Sequence, residues 1–120
     1  RRMVFNLIYS NTDDHLKNHS FIYNKESNSW GLAPAYDLTY PLNINLNFTA
    51  ISRALSINGK RTSITLEEIL AIADTYSIKN PTGIIREVQK AMDRWEAITK
   101  ELEIPMKMRI AIGNEFIRYV

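Results

Sequence analysis

Ten residues, Asn11 to Ser20, restrict this chain more than any others. They carry two carboxylates, two imidazoles, an ammonium and two carboxamides. The apolar run Met3 to Tyr9 precedes them, and the strand-like run Ser20 to Tyr23 follows. Polar side chains set between two burying segments are held at both ends and cannot drift into solvent like an ordinary loop. Functional residues often sit on loops fixed by rigid flanks.

The spacing inside the stretch carries chemistry. Asp13 and Asn18 stand in the pattern D-x-x-x-x-N. Phosphoryl transfer needs a carboxylate near the attacking hydroxyl and a carboxamide oxygen on a metal ion, both on one short loop. The protein-kinase catalytic loop has this offset between its Asp and its Asn. A second carboxylate must come from elsewhere to hold magnesium. Asp37, in Ala35-Tyr36-Asp37-Leu38, lies just past an expected strand pair, where the metal-binding aspartate of a kinase would lie. Asp13 taken alone reads equally well as a turn or helix cap, because Asp side chains bond nearby backbone N–H groups. Asn18 and Asp37 tip the reading toward a phosphoryl-transfer site. Asp14 reads as a solvated neighbour or cap.

The composition allows this reading and excludes others. A chain of 120 residues with 45% hydrophobic content is one small domain with a core, and not a disordered tail. A net charge of +2 is too mild to argue for nucleic acid. Without cysteine there is no disulfide framework and no thiolate metal site, which fits a reducing compartment. No apolar run approaches the length of a membrane span. Arg1-Arg2 followed by Met3 to Tyr9 is too short for a signal peptide, contains Asn6 and lacks a small-residue cleavage site.

Arg1 to Ser10 reads as a buried helix, apolar on most sides and stopping at Asn11. It is under way at Arg1 with no cap before it, as in a piece of a longer protein. Ser20 to Asn24 and Trp30 to Ala33 form an expected strand pair around the polar turn Lys25 to Ser29. Pro34 ends the second strand. Thr39 to Ser52 reads as an irregular loop with room for a short strand. Ser52 to Thr62 is predicted as a strand with a turn at Asn58-Gly59. Lys60 and Arg61 beside it are a solvated turn, or a contact for acidic substrate, a partner or DNA phosphate.

From Thr65 the pattern is helical. Thr65-Leu66-Glu67-Glu68 is a capping box, and Leu66, Ile69, Leu70 and Ala73 form the buried stripe. Asn80-Pro81 starts a long amphipathic helix of about six turns, with Ile85, Val88, Met92, Trp95, Thr99 and Leu102 on its apolar face. Pro105 breaks it, and Met106 to Val120 is predicted as a last helix with apolar residues around most of the cylinder. There is no internal repeat, low-complexity stretch or linker. The expected fold is mainly α with a small β-hairpin region, in one domain over 1–120.

N-T-D-D-H-L-K-N-H-S-F, followed by L-A-P-A-Y-D-L and the block Ala54 to Lys60, resembles the HipA family of serine/threonine kinases. The likeness runs from Arg1 to roughly Leu70 and more loosely beyond. The resemblance implies the C-terminal lobe of a protein-kinase-like fold, with ATP and Mg2+ as cofactors. On it, Asp13 takes or orients the proton of the acceptor hydroxyl, and Asn18 and Asp37 hold magnesium. The implied nucleotide set is His15, Lys17, Asn18, Tyr36 and Asp37. Lys17 is a suitable point charge for phosphate. His15 contacts phosphate or donates to a backbone carbonyl that shapes the loop. Tyr36 is a buried packing ring that positions Asp37. The stretch from Thr39 falls where a kinase activation segment would.

The implied setting is a bacterial toxin–antitoxin pair in the cytoplasm. The implied partners are a protein substrate, such as an aminoacyl-tRNA synthetase, and a helix-turn-helix antitoxin. DNA is touched only through that antitoxin complex. Neither a glycine-rich phosphate loop nor a strand Lys paired with a helix Glu occurs in 1–120, so both are expected upstream of Arg1. The chain alone is then expected to bind ATP poorly and transfer no phosphate. A non-catalytic module that docks an antitoxin is the alternative. A zinc hydrolase built on Asp13, His15, His19 and Asp37 fits less well. H-x-x-x-H needs both imidazoles on one helix face, and His19 leads into a strand.

Overall fold

A computed structural model describes residues 1–41 and 52–120. Its elements are α1 (Arg2–Ile8), β1 (Phe21–Asn24), β2 (Ser29–Leu32), α2 (Leu66–Thr75), α3 (Pro81–Gln89), α4 (Trp95–Glu101) and α5 (Met106–Gly113). The described residues are mainly helical with one two-stranded antiparallel hairpin, as expected.

The core gathers around α1. Val4, Leu7 and Ile8 pack with Ile57, with Ile69 of α2 and with Ile85 of α3, while Met3, Tyr9, Leu66 and Val88 close its rim. A helix apolar on most sides has to be surrounded, and α1 is. It stops at Ile8, and Ser10 then enters the left-handed region (φ 55). That fixes where the polar stretch begins.

The hairpin pairs Phe21 with Leu32, Ile22 with Gly31, Tyr23 with Trp30 and Asn24 with Ser29. The Ala33 N–H donates to the Ser20 carbonyl (2.8 Å) and closes its base. At its tip the Asn24 side chain accepts from the N–H groups of Glu26 (2.9 Å) and Ser27 (3.1 Å). Such an Asx turn is what Asn supplies at a tight reversal. Every residue of both strands is exposed.

The helical half follows its caps. The Thr65–Glu68 capping box forms, and the Glu68 carboxylate accepts from the Thr65 N–H (2.6 Å). The Asn80 side chain accepts from the Gly83 N–H (3.2 Å), with Pro81 in the first turn.

Three expectations fail. The Ser52–Thr62 strand shrinks to a single bridge, Ile57 to Lys60, around Asn58 (φ 48) and Gly59 (φ 80). Both residues take the positive φ that an Asn-Gly hairpin turn requires, but the flanks do not pair further. The long helix after Pro81 is interrupted by a 3-10 turn at Lys90–Arg94. Just before it, the Val88 carbonyl accepts from the Tyr9 hydroxyl (2.9 Å). An unbroken helix would offer that carbonyl to Met92.

The last helix ends at Gly113, not Val120, and only Ile112 of it is buried. Trp95 sits so close that a β-carbon at Gly113 would lie 3.1 Å from its Nε1. The following residues leave the helix to brace α1. The Ile117 N–H donates to the Ile8 carbonyl (2.9 Å), and the Phe116 ring packs edge-on against Tyr9 and Trp95. Trp95 is a packing residue, as expected, and its Nε1 donates to the Arg109 carbonyl (3.1 Å). Among the described residues, no helix is long and apolar enough to cross a membrane.

Candidate active site

The polar stretch leaves α1 at Asn11, which is buried. Its Nδ2 donates to Asn6 Oδ1 (3.1 Å) and to the Asp37 carbonyl (3.2 Å). One carboxamide therefore joins the helix, the start of the loop and the turn that carries Asp37. A 3-10 turn at Leu16–Asn18 then brings the Asn18 side chain back onto the loop. Its Nδ2 donates to the Asp13 carbonyl (3.0 Å). With the nitrogen engaged, Oδ1 is the end left to meet a ligand.

Asp13, His15 and Asp37 each bring a ligand atom into one cluster in which all lie within 4.8 Å of one another. Residues 24 positions apart in sequence meet because the hairpin carries the chain out and back between them. Asp37 takes a left-handed backbone conformation (φ 52), uncommon for a residue with a β-carbon. The Tyr36 hydroxyl donates to the Lys17 carbonyl (2.6 Å) and ties the two arms together. Two carboxylates and an imidazole offer oxygen and nitrogen donors, and the Asn18 oxygen stands on the same loop. Magnesium takes such oxygen ligands and keeps several waters, so few protein groups suffice.

The remaining predicted residues divide. His15 Nε2 lies 3.9 Å from Asp13 Oδ1, and its buried Nδ1 has no hydrogen-bond partner among the described residues. The Lys17 side chain is exposed, and the bond to Tyr36 uses its carbonyl, not its ammonium. Tyr36 is exposed rather than buried, and its hydroxyl bond ties it to the loop. His19 stays out of the cluster, so the four-ligand zinc set is not assembled.

Asp14 is not a solvated neighbour. It is 3% exposed and paired with Arg53, itself 5% exposed. Lys60 pairs with Glu68, while Arg61 donates to the Arg53 and Ala54 carbonyls (both 2.9 Å). Both basic side chains thus act within the chain. Most of the stretch read as an activation segment, 42–51, lies outside the described residues.

Sequence reasoning missed Asn11 and Arg53. A lone Arg between Ser52 and Ala54 has no local signature, because its partner lies 39 residues away. Asn11 could have been found from Asn6, which faces inward on an otherwise apolar helix and therefore needs a partner.

Comparison with curated proteins and with solved structures finds no match. Residues 1–96 match the family model described as the HipA-like C-terminal domain, which covers most of the chain and the whole of this site. The chain belongs to the HipA-like C-terminal domain family.

Proposed function

We propose that this chain is the catalytic-loop part of a HipA-like serine/threonine protein kinase that transfers the ATP γ-phosphate to a protein hydroxyl. Its expected setting is a bacterial toxin–antitoxin pair. The observation that carries the reading is the gathering of Asp13, His15 and Asp37 within 4.8 Å of one another. The Asn18 carboxamide, hung on the Asp13 carbonyl, supports it. Asn18 and Asp37 would hold magnesium, whose charge offsets that of the nucleotide phosphates when it is bound. Asp13 accepts the proton of the attacking hydroxyl and orients it. The exposed Lys17 ammonium is placed to reach phosphate, since among the described residues only its carbonyl is bonded. Tyr36 and Asn11 keep the Asp37 turn in register with the loop.

The test is ATP-dependent phosphorylation by the protein expressed from its natural gene. Asp13→Asn is expected to lower kcat by about 10²–10⁴-fold. Unchanged turnover in that variant would sink the assignment. The isolated chain 1–120 is expected to bind ATP poorly and transfer no phosphate.

Docking of a helix-turn-helix antitoxin is the second reading. The exposed apolar residues of α5, with Met106 at 66% and Ile110 at 56%, favour it as a contact surface. Retention of the partner by Asp13→Asn, with ATP consumption lost, would mean that both roles coexist.

A further inference from the structure

We propose that Asp14 and Arg53 form a clamp that positions the Asp13 carboxylate. The proposal rests on the phosphoryl-transfer reading of the site and names residues that reading does not use. Charged side chains are almost never fully buried unless paired, and here the pair has a defined geometry. Arg53 Nε (3.2 Å) and Nη2 (2.5 Å) both donate to Asp14 Oδ2. The other oxygen, Oδ1, accepts from the Leu55 N–H (3.1 Å). One residue before Asp13, the Thr12 carbonyl accepts from the Ala54 N–H (2.8 Å).

Both chain neighbours of Asp13 are therefore fastened to three consecutive residues, Arg53 to Leu55. The Asp13 side chain itself projects outward, 59% exposed, toward His15 and Asp37. A residue held on both sides has little freedom in φ and ψ, so the clamp sets the direction in which its Cα–Cβ bond launches the carboxylate. Charge works the same way. Asp14 would be a third carboxylate competing for a cation, and the guanidinium draws it inward and neutralises it.

The clamp has its own backing. The Arg53 N–H donates to the Arg61 carbonyl (3.0 Å), and the Arg61 guanidinium returns two bonds to the Arg53 and Ala54 carbonyls. Buried ion pairs often add little net stability over apolar residues of similar volume. What a guanidinium fork adds is orientation.

The experiment compares Asp14→Asn, Arg53→Lys and wild type in the protein expressed from its natural gene, at a temperature where circular dichroism shows each folded. Asp14→Asn keeps the shape and an acceptor for Leu55, while Arg53→Lys keeps the charge and loses the fork. A displaced catalytic group is expected to lower kcat by about tenfold to a hundredfold, with the KM for ATP nearly unchanged. A fall of less than about tenfold in a folded variant, or an effect on KM alone, would overturn the clamp.

Amide hydrogen exchange at Ala54 and Leu55, whose N–H groups donate to the Thr12 carbonyl and the Asp14 carboxylate, gives a second reading that needs no substrate. It is expected to quicken by about tenfold or more in both variants, and unchanged exchange would likewise overturn the proposal. Absence of ATP turnover in wild type would instead strike the phosphoryl-transfer reading, leaving the exchange rates to decide the clamp.

Discussion

Asp37 holds its carboxylate in place at a local backbone cost. A left-handed conformation costs a residue with a β-carbon roughly 1–2 kcal/mol, and glycine avoids that penalty. Glycine also adds back roughly 0.5–1 kcal/mol of lost chain entropy. Asp37→Gly is therefore expected to leave thermal stability nearly unchanged while removing divalent-cation binding. Paired melting curves and Mn2+ titrations would read the two effects separately, and a large loss of stability would contradict this account.

Glu68 gives a pH prediction at the same scale. The Lys60 ammonium first, then the Thr65 hydroxyl and N–H, hold its carboxyl down from the ordinary 4.5 to about 2. A folded-state pKa below the unfolded one adds stability that is fully present above pH 4.5 and drains away as pH falls through about 2. Glu68→Gln is expected to flatten the fall in melting temperature across that window. A wild-type slope in the variant would exclude Glu68 as its source. Asp13 and Asp37, singled out from short motifs, do come together in space. Arg53 was not legible in the sequence, since a buried ion pair across 39 residues leaves no trace in either local sequence.

At the scale of elements, caps and turns were the readable part. Thr65, Asn80 and Asn58-Gly59 each act through neighbours a few residues away, and each sits where its side chain or backbone demands. What stops a helix from outside was not readable. The break at Lys90 has no Pro or Gly within it, and follows a carbonyl taken by Tyr9 from another element.

Gln89 shows the same dependence on distant partners. It is buried, its Nε2 donates to the Val120 carbonyl (2.7 Å), and its Oε1 accepts from the N–H groups of Tyr119 (2.6 Å) and Val120 (3.2 Å). One side chain thus holds the segment after α5 against α3. Gln89→Leu is expected to destabilise the chain by about 1–3 kcal/mol, measured by urea unfolding. A variant as stable as wild type would show that the segment is held by Phe116 and Ile117 alone.

The whole molecule is looser than its composition suggests. Its radius of gyration is 16.0 Å, against roughly 14 Å for a compact domain of this length. Leu16 of the polar loop (74% exposed) and Trp30 of the hairpin (70%) stand in water, as do the other apolar residues of β1 and β2. Hydrophobic content was legible in the sequence, but which apolar faces find partners was not, because that depends on how elements assemble. A lone two-stranded hairpin is marginal in water. Amide protection is therefore expected to be strong at Leu7 and Ile8 and weak throughout β1 and β2. Equal protection in the two regions would show a hairpin sturdier than its burial implies.

That same hairpin leaves and returns at one place, with Ser20 and Ala33 bonded across its base. The gap between Asp13 and Asp37 is consequently blind to how far the ribbon reaches. Residues Lys25 to Asn28 form the spot where a fluorophore or an epitope tag can be spliced in while the acidic pair stays as it is.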